Sequence, residues 1–438
     1  MQSSKEIKAL VAARVASGRA PGLVVGVLND AGREVFAAGV RSIGEPALVT
    51  RDTLVEIGSI TKVFTALLLA DASLRGELAL DDPINDFLPA GAKAPDVEGQ
   101  PIRLLDLATH ASGLPSFMDG APPFGDDWSA YDRAAMLADV AAFQPTQAIG
   151  AGFRYSNTGY GLLGIALEAA TGLAYEPLLR ARVLDPLGMD STALTLTPAL
   201  QARTAEPHGL GLARVPRLRI PAMASAGALW SCADDLLTFL AAVCGAIPSP
   251  LAPAFALMLT VRRPGPPPPP GVAKVDQAIG WPTMETELGV LLGHAGGTVG
   301  MGTMALVCPA RHEAVVVLGN SAASEGDFAA YLLNPDHKIV EPPIPDPVSA
   351  VPADRAVLAR LPGRYAFAPG VECLIEVDDA GLICRPPDAP RLRLLACGPA
   401  AFFNPSFDAR FAFELPAAGP ATSLTVTGPM GGAATRVS

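Results

Sequence analysis

Cysteine is sparse and scattered along this chain of 438 residues. Its six cysteines are Cys232, Cys244, Cys308, Cys373, Cys384 and Cys397, and no two form a Cys-x-x-Cys pair. That speaks against a zinc site or a disulfide framework, and no cofactor is called for. Free, mostly buried thiols in a reducing compartment are expected instead. Basic residues are outnumbered 32 to 43 by acidic ones, giving net charge −11 and a pI near 5.0. A phosphate-tracking surface, and with it a nucleic-acid partner, is not expected. No run reaches the roughly 20 apolar residues that a membrane span needs, so no span is predicted. The start, Met1-Gln2-Ser3-Ser4-Lys5-Glu6-Ile7-Lys8, lacks the apolar core and cleavage site of a secretory signal. A cytoplasmic location follows as the expectation, with a periplasmic one if a leader has been removed. Two catalytic signatures are also missing. No serine has glycine two residues away on both sides, as a nucleophile elbow requires. His312-Glu313 is followed by Ala314-Val315-Val316, which is not the His-Glu-x-x-His of a metalloprotease.

What is present is a chain able to bury large cores. Half its residues are hydrophobic and only 17% are charged, which excludes disorder, and the length calls for two or three domains. A helix is predicted to about Ser17. A hairpin follows, from Gly22–Leu28 through the turn Asn29-Asp30-Ala31-Gly32 to Glu34–Gly39. A helix from about Ser59 to Gly76 carries Val63, Phe64, Leu67, Leu68, Ala70 and Leu74 at helical spacing. From Asp81 to about Phe255 the pattern is mostly helical. Strand patterns return at Gly289–Leu292, Gly302–Val307 and Glu313–Leu318. The fold class expected is α/β: an antiparallel sheet of residues 1–80 and 271–340, flanked by helices, with a helical insert over 81–270. Residues 341–353 read as a Pro-rich linker. Residues 354–438 read as a small antiparallel β-barrel, with short alternating strands at Leu374–Val377, Leu382–Arg385, Phe411–Leu415 and Leu424–Thr427.

Three short constellations carry the candidate chemistry. The first is Gly58-Ser59-Ile60-Thr61-Lys62. Ser59 suits a helix cap, yet Lys62 falls in the first turn, where the macrodipole disfavours a cation by roughly 0.3–1 kcal/mol. A capping box would place Glu or Gln there. One helical turn instead sets an amine beside a hydroxyl, the arrangement that activates a weak nucleophile. The second is Tyr155-Ser156-Asn157, ahead of a helix from Leu162 to Ala170. Taken alone, Asn157 or Thr158 reads as that helix's cap, with Tyr155 packing. The third is Gly293-His294-Ala295-Gly296-Gly297-Thr298, which alone reads as a glycine turn with an incidental histidine.

Together, once each and in this order, the three resemble the penicillin-recognising serine hydrolases: class C β-lactamases, D,D-carboxypeptidases and family VIII carboxylesterases. Leu104 to Pro115, Asp185 to Met189 and Ser225 to Ser231 match as well, so the resemblance covers about residues 8 to 325. The tail from about Asp354 resembles the lipocalin-like barrel that some of these hydrolases carry. The resemblance implies that Ser59 forms an acyl-enzyme. Lys62 and Tyr155 would share its proton, both needing tuning from free values near about 10.4 and about 10, and either serves as base. Asn157 would orient the substrate amide or the Lys62 ammonium. The N–H groups of Ser59 and Gly297 would make the oxyanion hole.

The third motif departs from the class C pattern. Lys-Thr-Gly is replaced by His294-Ala295-Gly296, so the fixed charge that grips a substrate carboxylate gives way to an imidazole titrating near about 6.5. Small carboxylic esters are therefore the expected substrates. D-amino-acid amides or peptides, weak β-lactam hydrolysis, acyl transfer, and a non-catalytic sensor or assembly role are the alternatives. A small-molecule ester or amide is the partner expected, and oligomeric state is left open.

Overall fold

The computed structural model describes residues 1–209, 211–269, 271–339, 348–368, 371–386, 389–405, 409–427 and 431–438. Most of the linker expected at 341–353 (residues 341–347) and Pro270 of the proline run lie outside them.

One eight-stranded antiparallel sheet forms the scaffold. Its strands are β1 (Gly22–Asn29), β2 (Gly32–Gly39), β3 (Arg263–Pro264), β4 (Lys274–Gln277), β5 (Pro282–Thr286), β6 (Gly289–Gly297), β7 (Gly302–Cys308) and β8 (Glu313–Gly319). In space they run β2-β1-β8-β7-β6-β5-β4-β3. The early hairpin thus pairs with the last strand, with Leu23 opposite Gly319 and Leu28 opposite Ala314. The helical middle of the chain is thereby looped out of the sheet. The sheet also reaches into the expected insert, because Arg263 pairs with Gln277 and Pro264 with Asp276. Proline lacks a ladder donor, so β3 is confined to the sheet edge.

Alternation decides which face each side chain covers. Leu23, Val25 and Val27 of β1 join Val315 and Val317 of β8 in a core under α1 (Ser4–Ala16). Phe328 and Leu332 of the helix Gly326–Leu333 complete that core. Val24, Leu28, Val316 and Leu318 face the opposite core, built on α2 (Thr61–Leu74), α3 (Asn157–Thr171) and α4 (Ala233–Val243). Both faces are covered, which is why β8 reads as an unbroken apolar run. Gly26 lets α4 approach closely: a Cβ there would lie 2.9 Å from Leu237 Cδ1.

Helix α2 is apolar nearly all round, as a helix inside a core must be, and Thr61 to Ala72 are all buried. Leu74 departs from the expected pattern. It is 53% exposed because it is the last residue of the helix, where α2 leaves the core. No single helix among the described residues is long and apolar enough to cross a membrane.

The C-terminal strands close into an eight-stranded antiparallel barrel. They are β9 (Gly363–Ala368), β10 (Val371–Asp378), β11 (Gly381–Arg385), β12 (Leu392–Gly398), β13 (Ala401–Asn404), β14 (Ala409–Glu414), β15 (Ser423–Thr427) and β16 (Gly432–Arg436). Each pairs with the next in sequence, and Tyr365 and Ala366 of β9 pair with Arg436 and Thr435 of β16 to close the ring. Inward residues such as Tyr365, Ile375, Phe402, Phe413 and Leu424 fill it, as expected of a barrel this small.

Candidate active site

The site is built at the start of α2. Gly58 has φ +51, a left-handed conformation that suits glycine. A Cβ there would lie 2.7 Å from Gly297 N, so its absence lets the turn press against β6. Gly58–Ile60 forms one 3-10 turn that runs straight into α2. Ile60, not Ser59, occupies the position before the helix, and no side chain caps it. The capping reading of Ser59 is thereby removed, and its hydroxyl is left to other partners.

Those partners are the predicted ones. Ser59 Oγ lies 2.9 Å from Lys62 Nζ and accepts a hydrogen bond from the Tyr155 hydroxyl at 2.7 Å. Lys62 Nζ also donates to Asn157 Oδ1 at 2.6 Å and to the Ala226 carbonyl at 2.7 Å. Lys62 is completely buried, and burial holds its ammonium well below the usual lysine range. A neutral amine fits these contacts. Its two N–H bonds serve two carbonyl oxygens, and its lone pair is left for the Ser59 proton. Burial moves the Tyr155 phenol the other way, above its usual value, with the Ser59 contact opposing. The face of its ring lies 4.9 Å from Lys62 Nζ, placed to support an ammonium there.

Tyr155 and Asn157 are held by the start of α3. Ser156 is the cap of that helix, accepting from Gly159 N at 2.8 Å. This corrects the expectation that Asn157 or Thr158 would do so. A serine in extended backbone can reach a third-residue N–H, and Asn157 is already inside the helix. Asn157 Nδ2 donates to Ser116 Oγ at 3.0 Å, which fixes its oxygen toward Lys62.

His294, Gly296 and Gly297 lie in β6 and not in a turn. His294 pairs with Ala305, Gly296 with Thr303 and Gly297 with Gly302. Glycine here serves close approach: a Cβ on Gly296 would overlap the Ile57 carbonyl and the Thr303 hydroxyl. The Thr303 hydroxyl donates to Ile57 O at 3.1 Å, tying the sheet to the serine turn. His294 is buried. Burial first, then the nearness of Lys62, whose ammonium form would repel an imidazolium, holds it down at about 4, against its Nδ1–H bond to Ala295 O. The imidazole is therefore neutral near pH 7. Its side chain bonds to Ala295 and, among the described residues, to none of Ser59, Lys62 or Tyr155.

Residues outside the three motifs complete the site. His110 has a buried ring 4.5 Å from that of Tyr155. Its Nδ1 accepts from Ser156 N at 3.1 Å, and its carbonyl accepts from Arg154 N at 2.7 Å. Burial keeps His110 well below its ordinary value, so it is a neutral acceptor that brackets Tyr155 on both sides. Ser116 and the Ala226 carbonyl are the other additions. The only signal for any of them was that they lie in or beside Leu104–Pro115 and Ser225–Ser231. No cluster of three or more His, Cys, Asp or Glu side chains among the described residues could hold a metal.

An antiparallel sheet flanked by helices, with a hydroxyl, an amine and a phenol gathered beside its strand β6, defines a serine-hydrolase scaffold. The family model named Beta-lactamase matches residues 7–334, and the chain belongs to that family. Among curated relatives, the D-alanyl-D-alanine-carboxypeptidase/endopeptidase AmpH of Escherichia coli K12 is 32% identical over 170 residues. That match covers 39% of this chain and 44% of AmpH, so it spans less than half the relative's length. A class C beta-lactamase from Rhodobacter sphaeroides superposes with TM-score 0.61 at 25% identity, covering 72% of this chain and 93% of that one. The octameric penicillin-binding protein homologue from Pyrococcus abyssi is similar in fold over 99% of this chain and all of its own, with TM-score 0.68 at 21% identity.

Proposed function

We propose that this protein hydrolyses small carboxylic esters through an acyl-Ser59 intermediate. The observation that carries the reading is the pair of contacts on one oxygen, Lys62 Nζ at 2.9 Å and Tyr155 Oη at 2.7 Å from Ser59 Oγ. Ser59 Oγ attacks the ester carbonyl carbon while its proton passes to the neutral Lys62 amine. The tetrahedral oxyanion is held by the N–H groups of Ser59 and Gly297, whose segments touch at Gly58. Losing such a donor costs about 2.7–4 kcal/mol of barrier. Collapse breaks the ester C–O bond. The departing alkoxide takes the Tyr155 proton, which the Lys62 ammonium replaces. Water then gives a proton back along the same relay as it attacks the acyl carbon, and cleavage of the acyl–Oγ bond restores Ser59.

Opposite pKa directions support Lys62 as base and Tyr155 as the phenol that holds its proton at rest and gives it to the leaving group. Esters are favoured because a neutral His294 offers no fixed charge to a substrate carboxylate. A second reading, hydrolysis of D-amino-acid peptides or amides, is favoured by the similarity to AmpH. The deciding test is a rate panel of nitrophenyl esters, D-alanyl anilides and a chromogenic cephalosporin, with mass spectrometry to find the acylated residue. Ester turnover with the acyl group on Ser59, lost in Ser59→Ala, is expected. A preference for anilides would move the substrate class, and acylation elsewhere would end the mechanism.

A further inference from the structure

The barrel is not a bystander to the cleft. The chain from Pro115 to Trp128 leaves the site directly, since Ser116 Oγ holds Asn157 and Ser116 O accepts from the N–H groups of Asn157 and Thr158. The barrel grips this loop along its length. Phe124 N donates to Arg391 O at 2.6 Å and Phe124 bridges to Leu392 of β12 as in a parallel strand. Arg391 also donates to the Ala121 carbonyl, and Arg385 of β11 pairs with Asp119 at 2.9 Å.

Arg393 is the centre of the grip. Its side chain is only 9% exposed, and it binds Asp126 of the loop and Asp378 of its own barrel, each at 2.7 Å. A bidentate guanidinium between two carboxylates is a geometrically specific link. The barrel also reaches a second segment of the cleft. Gly209 lies under the Pro405 carbonyl, where a Cβ would come within 2.5 Å. Its neighbour His208 donates from its backbone to Gly300 O at 2.9 Å, in the turn that joins β6 to β7.

We propose that the C-terminal barrel sets which acyl groups the site accepts, with Arg393 acting as a positioning residue that holds loop 117–126 closed against the cleft. One module thus touches the loop that follows Ser116, the partner of Asn157, and a segment bonded to the turn that follows Gly297. The inference rests on the acyl-serine reading and adds the selectivity of the same site.

The test separates the link from the barrel's own stability. Asp126→Asn breaks the half of the double pair that reaches the loop, and Asp378→Asn breaks the half inside the barrel. For each full-length variant, kcat/KM is measured with nitrophenyl acetate and nitrophenyl octanoate, alongside the rate of Ser59 labelling by a methyl fluorophosphonate. Asp126→Asn is expected to shift the octanoate-to-acetate ratio at least about fivefold toward octanoate, and Asp378→Asn less than about twofold. Arg393→Lys should restore more of the native ratio than Arg393→Met. Should Asp126→Asn fail to fold, Arg385→Gln frees Asp119 and is read the same way. An unchanged ratio in the loop-side variants, or an equal shift in Asp378→Asn, overturns the proposal. Absence of label on wild-type Ser59 instead overturns the acyl-serine reading and this proposal with it.

Discussion

Lys62 Nζ sits 2.6 Å from Asn157 Oδ1, closer than it lies to Ser59 Oγ or to the Ala226 carbonyl, and this neutral oxygen lets Lys62 stay uncharged. Asn157→Asp keeps the shape and replaces a dipole with a charge. A carboxylate at that distance favours the ammonium, and an opposite charge so close shifts a pKa by about 1–3 units. The acid limb of kcat/KM belongs to Lys62 and rises with pH, because the amine must lose its proton before it can accept one. That limb should move upward by about 1–3 pH units in Asn157→Asp, with the rate on its rising part falling about 10- to 1000-fold. A pH–rate profile with nitrophenyl acetate checks it. An unmoved limb would mean that Lys62 is not the base.

Lys62 and Tyr155 should fail differently. Removing a positioned general base or acid typically costs about 10²- to 10⁴-fold. Lys62→Met removes the base and should abolish the acylation burst. Tyr155→Phe leaves Lys62 in contact with Ser59, so a slower burst should survive while steady-state turnover falls further. Stopped-flow kinetics separates the two phases. A burst that survives in Lys62→Met and vanishes in Tyr155→Phe would exchange their roles.

The parts of this site that were readable beforehand are those whose chemistry is local. Ser59 and Lys62 are one helical turn apart, and an amine in a first turn has no structural purpose. Tyr155 and Asn157 joined them only through resemblance, because their contacts cross about a hundred residues. In β6 the strand pattern is legible over Gly289–Leu292 and lost beyond it for a physical reason: Gly293, Gly296 and Gly297 break it, although the strand runs on to Gly297. Gly296 is there because the Ile57 carbonyl leaves no room for a side chain, not because the chain turns. His110 and Ser116 carried no signal beyond their place in or beside Leu104–Pro115, since their roles are backbone and side-chain contacts to a distant helix start. In the barrel, β10, β14 and β15 alternate, whereas Leu382, Ile383 and Cys384 of β11 are all buried. The strands β9, β12, β13 and β16 were missed; β9 and β12 are interrupted by bulges, and β13 is four residues long.

Glu56 is a buried carboxyl three residues before Ser59, and burial pushes it up to about 7. Its Oε1 accepts from Leu218 N at 2.8 Å, whereas among the described residues no donor closes a hydrogen bond on Oε2. An acid whose folded value lies above its unfolded value binds more protons when folded. Stability is then greatest below about 4.3 and is lost as pH rises toward about 7, with the full penalty above it. Glu56→Gln keeps the acceptor and removes the charge. It should raise the melting temperature at pH 8, by about 1–3 kcal/mol of stability, and change little at pH 4. An equal shift at both pH values would show that charge is not the cause.

Adjacent glycines in β6 should behave oppositely. Gly297 has open space where a Cβ would stand and no left-handed φ, and alanine there keeps the N–H. Gly297→Ala should therefore alter stability by less than about 0.5 kcal/mol, leaving any loss of activity to crowding of the substrate. Gly296→Ala has no such freedom. Its methyl must displace the Ile57 carbonyl, two residues before Ser59, or the Thr303 hydroxyl that holds that carbonyl. Overpacking of this kind costs about 1–3 kcal/mol, and the shift moves the Ser59 N–H away from Gly297. With one oxyanion donor misplaced, kcat should fall about 10²- to 10³-fold, while the Gly297 variant keeps a well-formed hole. Thermal unfolding and kcat measured on both variants decide it. Equal losses in the two would show that the approach of Ile57 to β6 does not set the geometry around Ser59.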